Sequence, residues 1–245
     1  MQPLLRHTIV TLTALALFGC SSSTITVELK PTSEAQVPSA GSETPDPEIE
    51  DIEEVTLPAK VELDVPFTVQ APEGNWDNPY QEACEEASVI MVDYFLRETT
   101  LMPEQANREI LQIINWEEAH RYKYDVTVQE LAEIVEKYYK YKTRVSDDVT
   151  KASILYELSK GNPVIVPAAG RELGNPYFSG AGPWYHMLVI TGYDRRNFIT
   201  NDPGTKRGKG YTYDHDTLIN AIHDWTGVKE ETSNGPKRML IIEKN

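Results

Sequence analysis

The pattern of apolar residues changes near Gly161, and this change constrains the fold more than any other feature of the chain. Before Gly161 the apolar side chains recur at helical spacing, whereas after it they form short continuous runs, which are typical of buried strands. The predicted helices begin near residue 78 and then cover 103–118, 128–139, 150–160 and, close to the end of the chain, 214–225. The predicted strands cover 164–168, 184–192, 198–201 and 239–243. Helices followed by an antiparallel sheet predict an α+β fold.

The first helix has a clear start signal. Asn78 is the predicted N-cap, Pro79 occupies the first helical position, and Gln81 completes a capping-box pattern. Apolar residues then repeat at helical spacing: Ala83, Ala87, Ile90, Met91, Tyr94 and Phe95. This start places Cys84 within the first two turns, near the positive end of the helix dipole.

Residues 1–19 have the pattern of a signal peptide. A short basic start precedes an apolar run over 9–18, which is too brief to span a bilayer. The sequence Gly19-Cys20-Ser21 resembles the lipobox of bacterial lipoproteins, although Phe18 is larger than the residue usual at that place. The resemblance implies that Cys20 is acylated and anchors the protein in the cell envelope, on the extracytoplasmic side of a bacterial membrane. The alternative is plain secretion with cleavage nearby.

Residues 20–60 are rich in Ser, Thr, Pro and acidic residues, with seven carboxylates between Glu43 and Glu54. Such a composition buries too little apolar surface to fold, so the segment is predicted to be a flexible linker. The folded domain is then 61–245. The net charge of −15 would repel a phosphate backbone, which argues against a nucleic-acid partner.

The chain has two cysteines, Cys20 and Cys84. If Cys20 carries lipid, Cys84 has no disulfide partner, and a disulfide scaffold is excluded. A thiol attacks as the thiolate, and both a helix N-terminus and a neighbouring imidazole favour that form. Cys84 is therefore the candidate nucleophile, and the alternative is a small buried hydrophobe.

A cysteine nucleophile needs a histidine to accept its proton. His7 lies in the signal peptide, and His120, His215 and His223 lie in segments predicted to be helical and exposed. His186 lies at the start of a predicted buried strand, where an apolar side chain would be ordinary. His186 is thus the candidate base, and the alternative is a structural histidine.

A catalytic imidazole needs an acceptor that fixes its orientation. Asp202 ends the return strand of the hairpin that begins at His186. In a regular ladder Asp202 lies opposite Val189, about three rows from His186, so a bulge or strong twist is required to join them. Asn201 and Asp194 are the alternatives.

An oxyanion also needs hydrogen-bond donors, which the backbone N–H of Cys84 and a side-chain amide could provide together. Gln70 and Gln81 are the two candidates. Gln81 already has a role in the predicted capping box, whereas Gln70 ends an extended segment and has no other explanation.

Four segments together resemble the C39-like peptidases of the papain-like superfamily: Val65-Pro66-Phe67-Thr68-Val69-Gln70, Cys84-Glu85-Glu86-Ala87-Ser88, the run from Trp184 to Asp194, and Asn201-Asp202-Pro203-Gly204. The resemblance implies a papain-like fold, with the helix of Cys84 packed against the sheet of His186. It also implies the roles of four residues: Cys84 as nucleophile, His186 as base and acid, Asp202 as orienter and Gln70 as oxyanion donor.

Two features depart from the family pattern. Many relatives have glycine where this chain has Glu85, and the carboxylates at positions 82, 85 and 86 would oppose thiolate formation unless they face solvent. The spacing from Gln70 to Cys84 is also longer than in many papain-like enzymes.

The resulting functional hypothesis is a monomeric, extracytoplasmic thiol hydrolase that cleaves peptide bonds of a peptide or protein substrate, without a metal or cofactor. The glycine-rich loop 170–182, with Tyr177, Phe178 and Trp184, is predicted to form one wall of the cleft or else an ordinary surface loop. The alternatives are an inactive surface lipoprotein that binds peptide or cell-wall polymer, and a peptidoglycan endopeptidase or transpeptidase.

Overall fold

The computed structural model describes residues 23–29 and 53–244. The predicted signal peptide, residues 1–19, lies outside the described residues. So do the candidate lipidation site Cys20 and residues 30–52 of the predicted linker.

The described chain contains five α-helices: α1 Cys84–Leu96, α2 Pro103–Ala119, α3 Val128–Tyr138, α4 Lys151–Ser159 and α5 His215–Ala221. Helices α2, α3 and α4 begin within one residue of their predicted starts. Their start signals explain this agreement, because Thr127 and Thr150 accept hydrogen bonds from the backbone of Glu130 and Ser153, and Pro103 opens α2. The last helix is shorter than predicted and ends at Ala221.

The predicted start of the first helix is wrong. Asn78 caps no α-helix; a short 3₁₀ turn covers Tyr80–Glu82, and α1 begins at Cys84 with Ala83 as its N-cap. The physical reason is tertiary, because Nε2 of Gln70 donates to the carbonyls of Tyr80 (3.0 Å) and Gln81 (2.7 Å). In a continuous α-helix those two carbonyls would accept from the backbone four residues further on.

The described strands are β1 Thr24–Leu29, β2 Glu53–Pro58, β3 Val61–Glu62, β4 Lys142–Ser146, β5 Val164–Ala169, β6 Tyr185–Tyr193, β7 Asn197–Asn201, β8 Tyr211–Asp214 and β9 Met239–Glu243. The main sheet has the order β4-β9-β5-β6-β7-β8, with β3 paired to the end of β6, and every pair in it is antiparallel. All four predicted strands are confirmed, as β5, β6, β7 and β9, while β3, β4 and β8 of the main sheet were not predicted.

Strands β5 and β6 lie at the centre of the sheet and are buried on both faces. Met187 and Val189 of β6 pack with helices α1 to α3, while Leu188 and Ile190 pack with α4 and α5 on the other face. This two-sided burial explains why both strands are continuous apolar runs rather than alternating ones.

Part of the predicted linker is folded, which corrects the expectation for those residues. Strands β1 and β2 pair along their full length, from Thr24 with Pro58 to Leu29 with Glu53. Their apolar side chains alternate with polar ones and pack onto the α4 side of the core, where Leu57 is 4% exposed. The alternation of apolar and polar residues in these two short strands was missed because residues 20–60 were assessed by their average composition.

Candidate active site

Cys84 is the first residue of α1, so its backbone N–H is one of the four that have no partner within the helix. Its side chain is 5% exposed and lines a cavity of about 720 Å³. His186, from the start of β6, lines the same cavity. The structure therefore brings the two predicted reactive side chains to one open cleft.

A bulge brings Asp202 towards His186. Val189 pairs with Asn201, and the register shifts between Ile190 and Gly192, so Asp202 lies one row nearer to His186 than a regular hairpin would place it. The Nε2 atom of His186 lies 2.7 Å from Oδ1 of Asp202. The required bulge is thus present in the hairpin. Because Nε2 is used in this way, Nδ1 is the ring nitrogen left to accept a proton.

Asp202 is fully buried and accepts hydrogen bonds on both oxygens. Oδ1 also accepts from the backbone of Gly204 at 2.9 Å, while Oδ2 accepts from Nδ2 of Asn175 at 3.1 Å and from the hydroxyl of Tyr213 at 2.6 Å. Burial alone would raise the pKa of Asp202, but His186 and these hydrogen bonds outweigh it and hold the pKa below its usual value. Asp202 is therefore a carboxylate at neutral pH.

The two alternative orienters have other partners. Nδ2 of Asn201 donates to the backbone carbonyl of Val65 at 2.9 Å, and Oδ1 of Asp194 accepts from the backbone of Arg196 and Asn197 in the turn after β6. Of the three candidates, Asp202 is the one that contacts the imidazole. Asn175 and Tyr213, which hold Asp202, were missed because neither lies in a recognisable motif.

The imidazole ring is confined by its neighbours. Phe178 contacts it edge-on, with ring centroids 5.3 Å apart. A Cβ atom placed on Gly204 would lie 2.8 Å from Cε1 of His186 and 2.9 Å from Phe178. The absence of a side chain at Gly204 thus leaves room for the imidazole ring of His186.

We expect Gly204→Ala to lower kcat/KM for a peptide substrate by about 10²-fold, because the added methyl group displaces the imidazole and misplacements of about 1 Å have costs of this order. Glu104→Ala is the control, since it alters an exposed position on α2 away from the cleft. Kinetics and urea unfolding of both variants check the prediction. Parental kcat/KM in a folded Gly204→Ala protein would contradict it.

The carboxyl groups beside Cys84 are buried instead of facing solvent. Glu85 is 1% exposed and Glu86 is 3% exposed. The Cys84 thiol donates a hydrogen bond to Oε2 of Glu85, with Sγ and Oε2 2.9 Å apart. Burial raises the pKa of Cys84 well above its usual value, and the charge and hydrogen bond of Glu85 raise it further.

The carboxyl groups themselves are also perturbed. Burial raises the pKa of Glu85 from 4.5 to about 8, although the hydrogen bond from Cys84 opposes the change. Burial and the charge of Glu117 raise the pKa of Glu86 well above its usual value, and Glu86 and Glu117 share a hydrogen bond. Burial, helped by the charge of Glu82, raises the pKa of Asp125 to about 6. These side chains surround the sulfur with groups that take up protons more readily than carboxyls in water.

We expect the domain to be less stable at pH 8 than at pH 5. The pKa of Glu85 is raised in the folded state, so its contribution to stability is complete below about pH 4.5 and is lost as the pH rises through about 8. One such group changes the free energy of unfolding by roughly 1.4 kcal/mol per pH unit, or roughly 4 kcal/mol from pH 5 to 8. Urea midpoints at pH 5, 6.5 and 8 measure the change.

Glu85→Gln should flatten this pH profile, while Glu104→Gln, at an exposed position on α2, should leave it unchanged. Equal midpoints for the parent protein at pH 5 and pH 8 would show that Glu85 is not protonated in the folded state.

Gln70 and Gln81 both line the cavity. The two hydrogens of the Gln70 amide go to the carbonyls of Tyr80 and Gln81, so an oxyanion bond from Gln70 requires one of these bonds to be released. Nε2 of Gln81 lies 3.2 Å from Oε1 of Glu82 at the surface. The roles predicted for both glutamines therefore stay predictions, and the backbone N–H of Cys84 is the donor that the helix start itself supplies.

The loop wall of the cleft has the predicted aromatic residues: Tyr177, Phe178 and Trp184 all line the cavity. Arginines cover two of these rings. The Cζ atom of Arg171 lies 3.3 Å from the ring centroid of Trp184, and the Cζ atom of Arg207 lies 4.7 Å from the ring centroid of Tyr177. The loop is thus part of the cleft and is not an unattached surface segment.

The other described histidines lie in different surroundings. His120 is exposed, as predicted, and stacks on Trp116. His223 is half-buried and its Nδ1 meets the carbonyl of Gly235. His215 is 4% exposed against Phe198, so the expectation that it is exposed was wrong; its ring completes the α5 side of the core.

Residues 62–232 match the model of the Peptidase_C39 like family. The chain belongs to this family. Helices packed on an antiparallel sheet, with the helix of Cys84 against β6, give the α+β, papain-like fold that the four sequence segments implied.

Two solved structures are similar to the chain. One, from Bacillus anthracis, is described as a C39-like peptidase; it has a TM-score of 0.51 and 15% identity, over 76% of this chain and 98% of that one. The other is xylellain, a cysteine protease from Xylella fastidiosa, with a TM-score of 0.31 and 14% identity, over 77% of this chain and 87% of that one. At this identity the first structure supports the fold alone. No curated protein sequence matches the chain.

Within residues 23–29 and 53–244, no helix combines the length and apolar character that crossing a membrane requires. In the same ranges, no three or more His, Cys, Asp and Glu side chains are grouped so as to hold a metal ion. The consecutive Asp214, His215 and Asp216 form the start of α5, where Asp214 caps the helix.

Proposed function

We propose that this C39-like protein is a thiol hydrolase that cleaves peptide bonds through Cys84, His186 and Asp202. The observation that carries the proposal is the 2.7 Å contact between His186 and Asp202, beside a cleft that Cys84 also lines. A buried carboxylate that fixes an imidazole, in the same cleft as a cysteine at a helix start, is the arrangement that nucleophilic acyl transfer needs.

In the proposed reaction, the sulfur of Cys84 attacks the substrate carbonyl and its proton passes to Nδ1 of His186. The backbone N–H of Cys84 donates to the oxyanion that forms, at the positive end of α1. His186 then gives the proton to the leaving amine as the C–N bond breaks. Water attacks the resulting thioester with His186 as base, which releases the acid and restores the thiol. Asp202 keeps the ring in one orientation throughout.

Cleavage of a peptide mixture by the purified protein, read by mass spectrometry as new N-termini, tests the proposal. Cys20→Ala gives a parent protein in which Cys84 is the remaining cysteine. We expect cleavage by this parent and none by the same protein with Cys84→Ala. Products that persist in the Cys84→Ala protein would reject Cys84 as the nucleophile.

A binding function without catalysis is the second candidate. It is favoured by the protonated state of the Cys84 thiol, which burial and Glu85 stabilise. An inactive surface protein would bind peptides or cell-wall polymer in the cleft and cleave neither. A peptidoglycan endopeptidase or transpeptidase would keep the nucleophile, and purified peptidoglycan would then yield new N-termini or new cross-links.

We also propose that the protein is a monomer held by a lipid on Cys20 at the extracytoplasmic face of a bacterial membrane. The support is the signal-peptide pattern and the lipobox-like sequence around Cys20. Metabolic labelling with a fatty acid, compared between the natural chain and Cys20→Ala, tests the anchor. Label on both proteins, or on neither, would contradict it.

A further inference from the structure

We propose that Glu85 controls the proton of Cys84: its carboxyl group accepts the S–H bond, and its negative charge, once it ionises, keeps the nucleophile a neutral thiol until His186 takes the proton during attack. Glu85 is thus a further catalytic residue, because it touches the reacting sulfur. Its part in peptide cleavage rests on the proposed function, whereas its hold on the thiol does not.

The contact is short and shielded from water. Sγ of Cys84 and Oε2 of Glu85 are 2.9 Å apart, and both side chains lie in the first turn of α1. Oε1 of Glu85 accepts from the backbone of Val126 at 3.4 Å, which fixes the carboxyl group. Because Glu85 is 1% exposed, water does not replace it as the acceptor of the thiol hydrogen.

The groups that face Glu85 favour protons over negative charge. On α1 these are Cys84 and Glu86, and Asp125 lies in the loop before α3. Tyr185 of β6 carries a buried hydroxyl that donates to the carbonyl of Val126 at 2.8 Å.

Two more charged groups affect Glu85 indirectly, through a neighbouring carboxyl. Glu117 of α2 reaches Glu85 through its bond with Glu86, and Lys229 acts on Asp125. The ionisable groups that raise the pKa of the Cys84 thiol are therefore carboxyls, and a thiolate would meet like charge wherever they are ionised.

This arrangement determines how the reaction begins. The resting site holds a thiol rather than a thiolate and an imidazolium, and Glu85 becomes a carboxylate as the pH rises through about 8. As the S–C bond to the substrate carbonyl forms, the S–H bond breaks, the proton moves to Nδ1 of His186, and the carbonyl electron pair moves to oxygen. When Glu85 is itself protonated it no longer repels a thiolate, so ionised Glu85 suppresses the reactive form of Cys84.

The test is the alkylation rate of Cys84 by iodoacetamide between pH 5 and 10, in the Cys20→Ala protein and its Glu85→Gln derivative. We expect Glu85→Gln to raise the rate at pH 9, where Glu85 is ionised in the parent, by at least tenfold and to lower the apparent pKa of the thiol by at least one unit. Glu86→Gln is the matched control, because it removes a buried carboxyl from the same helix turn whose hydrogen bond goes to Glu117. Its effect should be less than threefold.

Equal rates in the parent and Glu85→Gln proteins, or equal effects of Glu85→Gln and Glu86→Gln, would overturn the inference. If Glu85→Gln does not fold, Glu85→Ala is measured in the same way, and thiolate absorbance near 240 nm follows the titration without a reagent. Peptide cleavage is assayed on the same samples. If Glu85→Gln shifts the thiol titration but no protein cleaves peptides, the proposed function is rejected and the inference on Glu85 is kept. If the parent cleaves peptides but Glu85→Gln leaves the thiol titration unshifted, the inference on Glu85 is rejected and the proposed function is kept.

Discussion

Replacing His186 by alanine should lower kcat/KM for peptide cleavage by about 10³-fold or more at pH 7, while the domain stays folded. In the proposed reaction the imidazole both accepts the Cys84 proton and protonates the leaving amine, and general acid–base catalysis has effects of this size. The loss should be large here because Glu85 and the other buried carboxyls oppose spontaneous ionisation of the thiol. The thiol therefore depends on a base more than an isolated thiolate would.

The matched control is His120→Ala, which removes an exposed imidazole that stacks on Trp116. It should retain parental kcat/KM. Steady-state kinetics on one peptide, with urea unfolding of each variant, separates loss of chemistry from loss of structure. A folded His186→Ala protein with kcat/KM within tenfold of the parent would remove His186 from the mechanism.

Asp202→Ala should lower the free energy of unfolding by roughly 3 to 5 kcal/mol at pH 7, as well as activity, because it removes a buried charged partner and leaves its donors unsatisfied. Four donors would lose their acceptor: Nε2 of His186, the backbone N–H of Gly204, Nδ2 of Asn175 and the Tyr213 hydroxyl. The urea midpoint measures the loss.

Asp64→Ala is the control, since it removes a carboxylate at an exposed position. The effect of Asp202→Ala should also shrink below pH 4, where carboxyls in both states gain protons and the ion pair in the parent weakens. An Asp202→Ala protein as stable as the parent at pH 7 would mean that the contacts of Asp202 contribute little to the fold.

Local patterns were enough to predict most of the elements. The caps at Thr127 and Thr150 and Pro103 at the start of α2 act through residues close in sequence, so the predicted starts agree with the structure. Asn78 and Pro79 gave an equally clear local signal for a helix start, but the α-helix begins at Cys84. Gln70, which is distant in sequence, binds the carbonyls that a continuous helix would have used.

The composition of 20–60 misled for a different reason. Averaged over forty residues, its polar and acidic content hides the alternation in β1 and β2. Strand β8 was missed because its register is set by β7, to which Tyr211–Asp214 is paired, and not by a strong pattern of its own.

By itself the sequence determined which residue types were available for chemistry: a cysteine near a predicted helix start, and a histidine in a predicted strand that is otherwise apolar. Which groups meet was decided by tertiary structure. The bulge between Ile190 and Gly192 moved Asp202 to within 2.7 Å of the imidazole, and packing of α1 turned Glu85 inwards to the sulfur. Periodicity along a chain predicts which face of an element is buried, but register shifts and contacts between distant elements depend on how the whole core packs.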